Sequence, residues 1–369
     1  MNNDENEIIE LFLKLTSIDA ESFNERKIAD AIIEELKVLG IEAHEDDAAY
    51  KLSGNAGNIY ASLEGESDKD PVLLSSHLDT VVPGNGKKPV FENGIIKSDG
   101  KTVLGADDVA GIVEIISAIK RIIKSGKKHR KIELLFPVAE EVYTKGASVF
   151  DYSILESKEA YCLDLSGDVG SAVINAPTLI SFEIIIKGKA AHAGFAPWEG
   201  INAIEAASKA IALIKQGKVD DNSTLNIGTI NGGNATNIVS SECVIKGEIR
   251  SYIHDRALEL YEDMLKIFKT EASSVGADVQ GEYEIHIIAY KVDEKSNVVK
   301  RFIESCESIG LKPELRSSFG GSDNHQFNAN GIKGIVLSCG MENVHTVNEY
   351  IKVENLIKGT DLVEQIILS

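Results

Sequence analysis

Basic residues are scarce beside acidic ones: 38 Lys and Arg face 58 Asp and Glu, so the 369-residue chain carries a net charge of −20. A nucleic-acid binder presents a basic face. The densest basic stretch, KSGKKHRK at 124–131, reads instead as a solvated helix end and loop, so no nucleic-acid partner is expected. No apolar run reaches the roughly 18 residues of a membrane span, which excludes a spanning helix and argues against a membrane partner. The opening MNNDENEIIE is acidic and polar, the reverse of a secretory leader, and the expected location is cytoplasmic. Cysteine is rare as well. Cys162, Cys243, Cys306 and Cys339 lie far apart without CxxC spacing, and read as reduced and buried. Neither G-x-S-x-G nor H-E-x-x-H occurs, which removes the nucleophile-elbow serine hydrolases and the single-helix zinc proteases.

What the chain does have is apolar content, 43% of residues, enough for a sizeable core, and a length that favours two domains. Ile28, Ile32, Leu36 and Leu39 recur at helical spacing and stop at Gly40. Short apolar runs follow at 72–74, 132–138 and 160–163, with a helical stretch over about 108–124. Strands alternating with helices predict an α/β domain whose mainly parallel sheet is covered by helices. Past Pro177 the pattern becomes βαββαβ, with strands at 178–187, 225–230, 242–251 and 280–290 and helices at 200–216 and 254–274. That order is the ferredoxin-like α+β unit. Helix–strand alternation resumes at Val292. The expected domains are therefore 1–176 with 292–369, interrupted by an insert at 177–291.

Acidic residues and histidines collect where the apolar strands end. VLLSS leads to His77-Leu78-Asp79, IELLFPVA to Glu140-Glu141, and AYCL to Asp164. IVLSCG precedes His345, and Asp107-Asp108 opens the helical stretch. Taken singly, each has an ordinary explanation: a cap, a turn or a solvated pair. Ligands of open α/β sheets gather beyond the carboxyl ends of the strands, so five such segments converge on one edge. The Gly94–Thr102 stretch resembles a P-loop, but it has one residue too many between its glycines and reads as a hairpin turn.

These segments resemble the dizinc peptidase and deacylase family that contains peptidase T, carboxypeptidase G and succinyl-diaminopimelate desuccinylase. The matching stretches are SSHLDTV (75–81), GADDVAG (105–111), AEE (139–141), YCLDLSG (161–167), KAAHAGFAPWEGINAI (189–204), FGGSDNHQFNANGI (319–332) and HTVNEYI (345–351). Peptidase T-like members match best in HLDTV, GADD and HT-x-x-EYI. The resemblance implies two Zn2+ per subunit, with Co2+ or Mn2+ as substitutes. It implies that His77 and Asp164 bind one ion, Glu141 and His345 the other, and that Asp107 bridges them. Asp79 would orient His77, and Glu140 would be the general base for a hydroxide held between the metals. Imidazole and carboxylate suit zinc, and a shared carboxylate suits ions about 3.5–4 Å apart.

For the insert, the resemblance implies a lid and homodimerisation domain whose His192 reaches the partner's site and stabilises the oxyanion. Asn237 and Arg250 look like substrate clamps, the latter a fork for a carboxylate. Gly320 and Gly321 suggest close backbone approach to substrate. Relatives often carry Lys at the position of Val109, Gly at that of Tyr143 and Glu at that of Trp198; none of these departures touches a metal ligand. The implied activity is hydrolysis of short peptides, with release of the N-terminal residue of tripeptides. An N-acyl amino-acid deacylase, a dipeptidase or a carboxypeptidase stands as the alternative, and an inactive binding protein behind those.

Overall fold

The computed structural model describes residues 3–65 and 68–369. The helix Arg26–Val38 buries Ile28, Ala29, Ile32 and Leu36 along one face. It ends where Gly40 takes φ of +77° and donates its N–H to Lys37 O. This is the glycine stop that the spacing predicts.

Runs that are apolar at every position become interior parallel strands, because helices cover both faces and no alternation is needed. Every residue of Val72–Ser75 and of Ile132–Phe136 is buried. These two strands, Glu159–Leu165 and Lys333–Ser338 form the parallel centre of a nine-stranded sheet. Their spatial order is Ile132–Phe136, Val72–Ser75, Glu159–Leu165, Lys333–Ser338. Four carboxyl ends thus point to one edge. The helix Ala106–Ser125 is buried over most of its length. Several strands of this sheet escaped the sequence reading, among them Ala43–Glu45, Ile59–Leu63, Ser171–Ala176 and the mostly exposed Glu314–Ser317.

A smaller four-stranded sheet pairs Met341–Glu342, Tyr350–Lys352, Ile95–Lys97 and Val90–Glu92 in that order. The last two form a hairpin across Asn93 and Gly94, both at positive φ. This accounts for Gly94 of the P-loop-like stretch; Gly100, at φ of +85°, turns the chain after Ile95–Lys97. The basic segment 124–131 departs from its expected solvation at one residue. Arg130 is 2% exposed, and burial lowers its pKa. Its neighbours do stay outside, Lys127 pairing with Glu364 and Lys131 with Glu64 and Glu156.

The chain divides into two compact units, Met1–Asn175 with Lys291–Ser369, and Ala176–Tyr290. The second has an antiparallel sheet in the order Gly217–Lys218, Ser223–Gly232, Glu242–Ser251, Thr178–Lys187, Asp278–Ile287. Leaving out the two-residue edge strand, this is the 4-1-3-2 order of a βαββαβ unit. Ile180, Phe182, Ile184 and Ile186 alternate inward, against Ala203, Ala206, Ala207 and Ala210 of Ala203–Leu213 and Leu260, Met264 and Phe268 of His254–Val275. All four cysteines are buried and free. No helix among the described residues is long and apolar enough to cross a membrane.

Candidate metal centre

Five segments meet at the carboxyl edge of the parallel strands. His77 follows Val72–Ser75 by two residues, and Glu140 and Glu141 follow Ile132–Phe136. Asp164 lies near the end of Glu159–Leu165, and Asp107 in the first turn of Ala106–Ser125. His345 sits in the loop between Met341–Glu342 and Tyr350–Lys352, with φ of +62°. A non-glycine residue held there stores strain of about 1–3 kcal/mol, which the surroundings must offset.

Asp107 stands at the centre. Its Oδ1 is 3.1 Å from His77 Nε2, and its Oδ2 is 3.1 Å from His345 Nε2. His345 Nε2 is also 3.0 Å from Glu141 Oε2, and His77 Nε2 is 3.9 Å from Asp164 Oδ1. Two donor triads result, His77–Asp107–Asp164 and Asp107–Glu141–His345, each with ligand atoms within 4.8 Å of one another. Glu140 belongs to neither, its Oε2 lying 3.9 Å from His77 Nε2.

Electrostatics make this a cation site. Burial first, then neighbouring carboxylates such as Asp323 and Glu141, push Glu140 well above the usual carboxylate range. Asp164 rises for the same reason, with Glu140 as its neighbour. Asp107 moves the other way: although burial opposes it, the imidazoles of His345 and His77 hold it low. His345 is pushed up to about 10 by Asp107 and Glu141. Glu141 Oε1 is buried and has no hydrogen-bond partner among the described residues. Two imidazoles and three carboxylates, one of them with an orphaned oxygen, are what divalent zinc or a similar ion takes as ligands, so the residues fit the group.

Asp79 lies behind His77, as expected, but its backbone carbonyl comes nearer the ring than its carboxylate does. His77 Nδ1 is 2.9 Å from the backbone carbonyl of Asp79, whereas the carboxylate Oδ1 is 3.5 Å away. The carboxylate also accepts the N–H groups of Glu140 (2.8 Å) and Glu141 (3.2 Å) and the Ser22 hydroxyl (2.7 Å). It holds the Glu-Glu turn, while the carbonyl faces the ring. Three further carboxyls were missed in the sequence. Asp108 Oδ2 accepts from His77 N–H at 3.1 Å, Glu25 Oε1 from Ala139 N–H at 3.0 Å, and Glu349 from the turn before Asp107. Asp108 and Glu349 sit inside the matched motifs, which was the available signal.

His192, Asn237 and Arg250 lie in the second unit. His192 Nδ1 accepts the N–H groups of Gly194 and Phe195, both at 3.1 Å, and its ring stacks on Phe195 at 4.2 Å. The Nε2 nitrogen is therefore the one that carries the proton in neutral imidazole. Asn237 is brought beside this loop, its carbonyl accepting from Ala193 N–H at 2.9 Å. Arg250 does not present an open fork: its Nε and Nη2 donate to Glu248 at 2.9 and 3.2 Å. Gly320 donates its N–H to Ser318 Oγ, and neither it nor Gly321 has the positive φ that would require glycine.

Comparison with known proteins finds likenesses for both units of the chain. A family model described as the peptidase dimerisation domain matches residues 176–275, and that of peptidase family M28 matches residues 58–175. An uncharacterized protein of Bacillus subtilis, YqjE, is 38% identical over 363 residues, 98% of each chain. The crystal structure of aminopeptidase PepT from Bacillus cereus is 38% identical with a TM-score of 0.93, over 99% of this chain and 98% of that one. A tripeptidase structure from Staphylococcus aureus is 36% identical with a TM-score of 0.96, again over 99% and 98%.

Proposed function

The chain belongs to the peptidase T-like M20 family of peptidases, and from that premise we propose a two-zinc aminopeptidase that releases the N-terminal residue of tripeptides. The observation that carries it is Asp107, whose two oxygens each face a different imidazole and join two donor triads. His77 and Asp164 would hold one zinc, Glu141 and His345 the other, and Asp107 would serve both. Co2+ or Mn2+ would satisfy the same donors. When bound, the ions supply Lewis-acid charge for the scissile carbonyl and acidify water.

Glu140 takes the proton of the attacking water at its carboxylate and delivers it to the leaving amine. Its position outside both triads supports that role, and burial, which raises its proton affinity, suits a group that must hold the proton between the two steps. Asp79 positions Glu140 and Glu141 through their N–H groups. The unit Ala176–Tyr290 acts as the homodimerisation and lid domain, and the match to the peptidase dimerisation model supports this. His192 offers Nε2–H to the oxyanion in the partner's site, a role that its two hydrogen bonds at Nδ1 favour. Asn237, Gly320 and Gly321 are substrate contacts, and so is Arg250 where a substrate carboxylate displaces or shares Glu248.

The test is a pool of di-, tri- and tetrapeptides, half of them N-acetylated, incubated with zinc-loaded protein and read by mass spectrometry. Release of single N-terminal residues from unblocked tripeptides is expected. Cleavage confined to blocked peptides would move the protein to the deacylases or carboxypeptidases, and no cleavage would make it a binding protein. His192→Ala is expected to lower kcat about a hundred- to a thousand-fold, the usual cost of one oxyanion donor. Its zinc content should be unchanged. Full activity in that variant would remove His192 from the mechanism.

A further inference from the structure

Four residues beyond His345, Glu349 is 1% exposed. Its Oε2 accepts the N–H groups of Leu104 (2.6 Å) and Gly105 (2.8 Å), and its Oε1 accepts that of Asp107 (2.9 Å). All three bonds go to the turn that presents Asp107, more than 240 residues away in the chain. The same segment places His345 Nε2 at 3.1 Å from Asp107 Oδ2. One short stretch thus faces the Asp107 side chain with an imidazole and anchors its backbone with a carboxylate.

The turn has little freedom to settle elsewhere. Gly105 has φ of +78°, and a Cβ built there would come 2.8 Å from Lys87 Nζ and 3.1 Å from Thr80 Cγ2. Lys87 is 5% exposed, and its ammonium has no hydrogen-bond partner among the described residues. A buried cation therefore lies against the turn that Glu349 holds. Other metal-bearing turns are held in the same manner. Asp108 accepts from His77 N–H, and Asp79 from Glu140 and Glu141 N–H. Glu349 differs in tying the C-terminal segment to the one carboxylate that the two triads share.

We infer that Glu349 is a positioning residue for Asp107: by fixing the turn through three N–H groups, it sets both Asp107 oxygens where two ions are bound together. The inference rests on the reading of Asp107 as the shared ligand. Both oxygens of Glu349 are used as acceptors. Gln has only one acceptor oxygen, so its amide would turn an NH2 toward an N–H donor. Asp keeps the charge but is a methylene shorter and loses reach to part of the set. Partners that orient a metal ligand typically contribute about ten- to a hundred-fold in metal affinity.

The experiment is calorimetric titration of metal-free wild type, Glu349→Gln and Glu349→Asp with Zn2+, alongside the visible spectrum of the Co2+-loaded proteins. Both variants are expected to bind at least one of two ions about ten- to a hundred-fold more weakly, with an altered Co2+ band and a lower kcat at similar KM. In an Asp107→Asn background, Glu349→Gln should add little further loss, because it acts through Asp107. Wild-type affinity in both Glu349 variants, or losses that simply add, would overturn the inference. Should neither variant fold, amide exchange of the metal-free wild type decides: Leu104, Gly105 and Asp107 N–H protected before metal is added supports the brace, and loop-like exchange rules it out. Two ions bound by wild type with no effect at Glu349 would sink this inference alone, whereas no metal binding by wild type would sink the metallopeptidase reading with it.

Discussion

Glu140→Ala is expected to lower kcat for peptide hydrolysis by about a hundred- to ten-thousand-fold, the span of general acid–base contributions. Zinc content should stay at the wild-type value. Glu140 and Glu141 are adjacent, yet Glu141 Oε2 is 3.0 Å from His345 Nε2 and Glu140 stands outside both donor triads. Removing the Glu140 carboxylate subtracts a proton acceptor without subtracting a ligand. Its N–H stays bonded to Asp79 in the alanine variant, so the neighbouring ligand turn should keep its shape. Kinetics and metal analysis on the same preparation separate the roles. Wild-type turnover would sink the base assignment, and loss of zinc in parallel with activity would make Glu140 a ligand instead.

The parts of this site legible in the sequence were those whose signal is local. An all-apolar run such as Val72-Leu73-Leu74 announces an interior parallel strand, and the side chain two residues past its end is then placed by the sheet. His77 fits that placement directly; Glu140, Glu141, Asp164, Asp107 and His345 were read at the same edge from where their segments stand after or beside the strands, and the family resemblance supplied their separate roles. What the sequence did not show depends on distant partners. The N–H groups bound by Glu349 lie more than 240 positions away, so its place in the HTVNEYI motif does not reveal which backbone it holds. That Asp79 stands behind His77 is legible from the two-residue spacing, whereas its bonds to the backbone donors of Glu140 and Glu141 depend on a segment some sixty residues away. Arg250 fails as an open fork because Glu248, two residues back on the same strand, shares its face of the sheet. Arg130 reads as one more charge in a basic stretch, and only packing buries it.

Stripping divalent metal should abolish peptide hydrolysis and lower the melting temperature of the unit that carries the site, more so as the pH rises. A ligand in thousand-fold excess over its Kd stabilises the fold by about 4 kcal/mol. Two such ions would shift the midpoint by something on the order of 10 °C. The pH sign follows from which way the buried groups are displaced. Burial raises Asp323 and Glu349 from ordinary carboxyl values to about 7, and Glu140 and Asp164 rise too. Such groups favour the folded protein while protonated. For Asp323 and Glu349 that contribution is complete below the unfolded pKa near 4 and is lost as pH climbs through the folded values of about 7; Glu140 and Asp164 act with the same sign. His345, raised to about 10 by Asp107 and Glu141, works in the same direction at higher pH. Asp107, held low, opposes them only in strong acid. Metal-free protein should therefore lose stability between about pH 5 and pH 8. Zinc takes its ligands deprotonated, so its affinity grows over the same interval. Thermal scans of chelated and zinc-loaded protein at both ends of that range should show a gap that widens toward pH 8. A constant gap would mean that these carboxyls are not what the metal neutralises, and no gap at all would mean that the acidic cluster is stable without one.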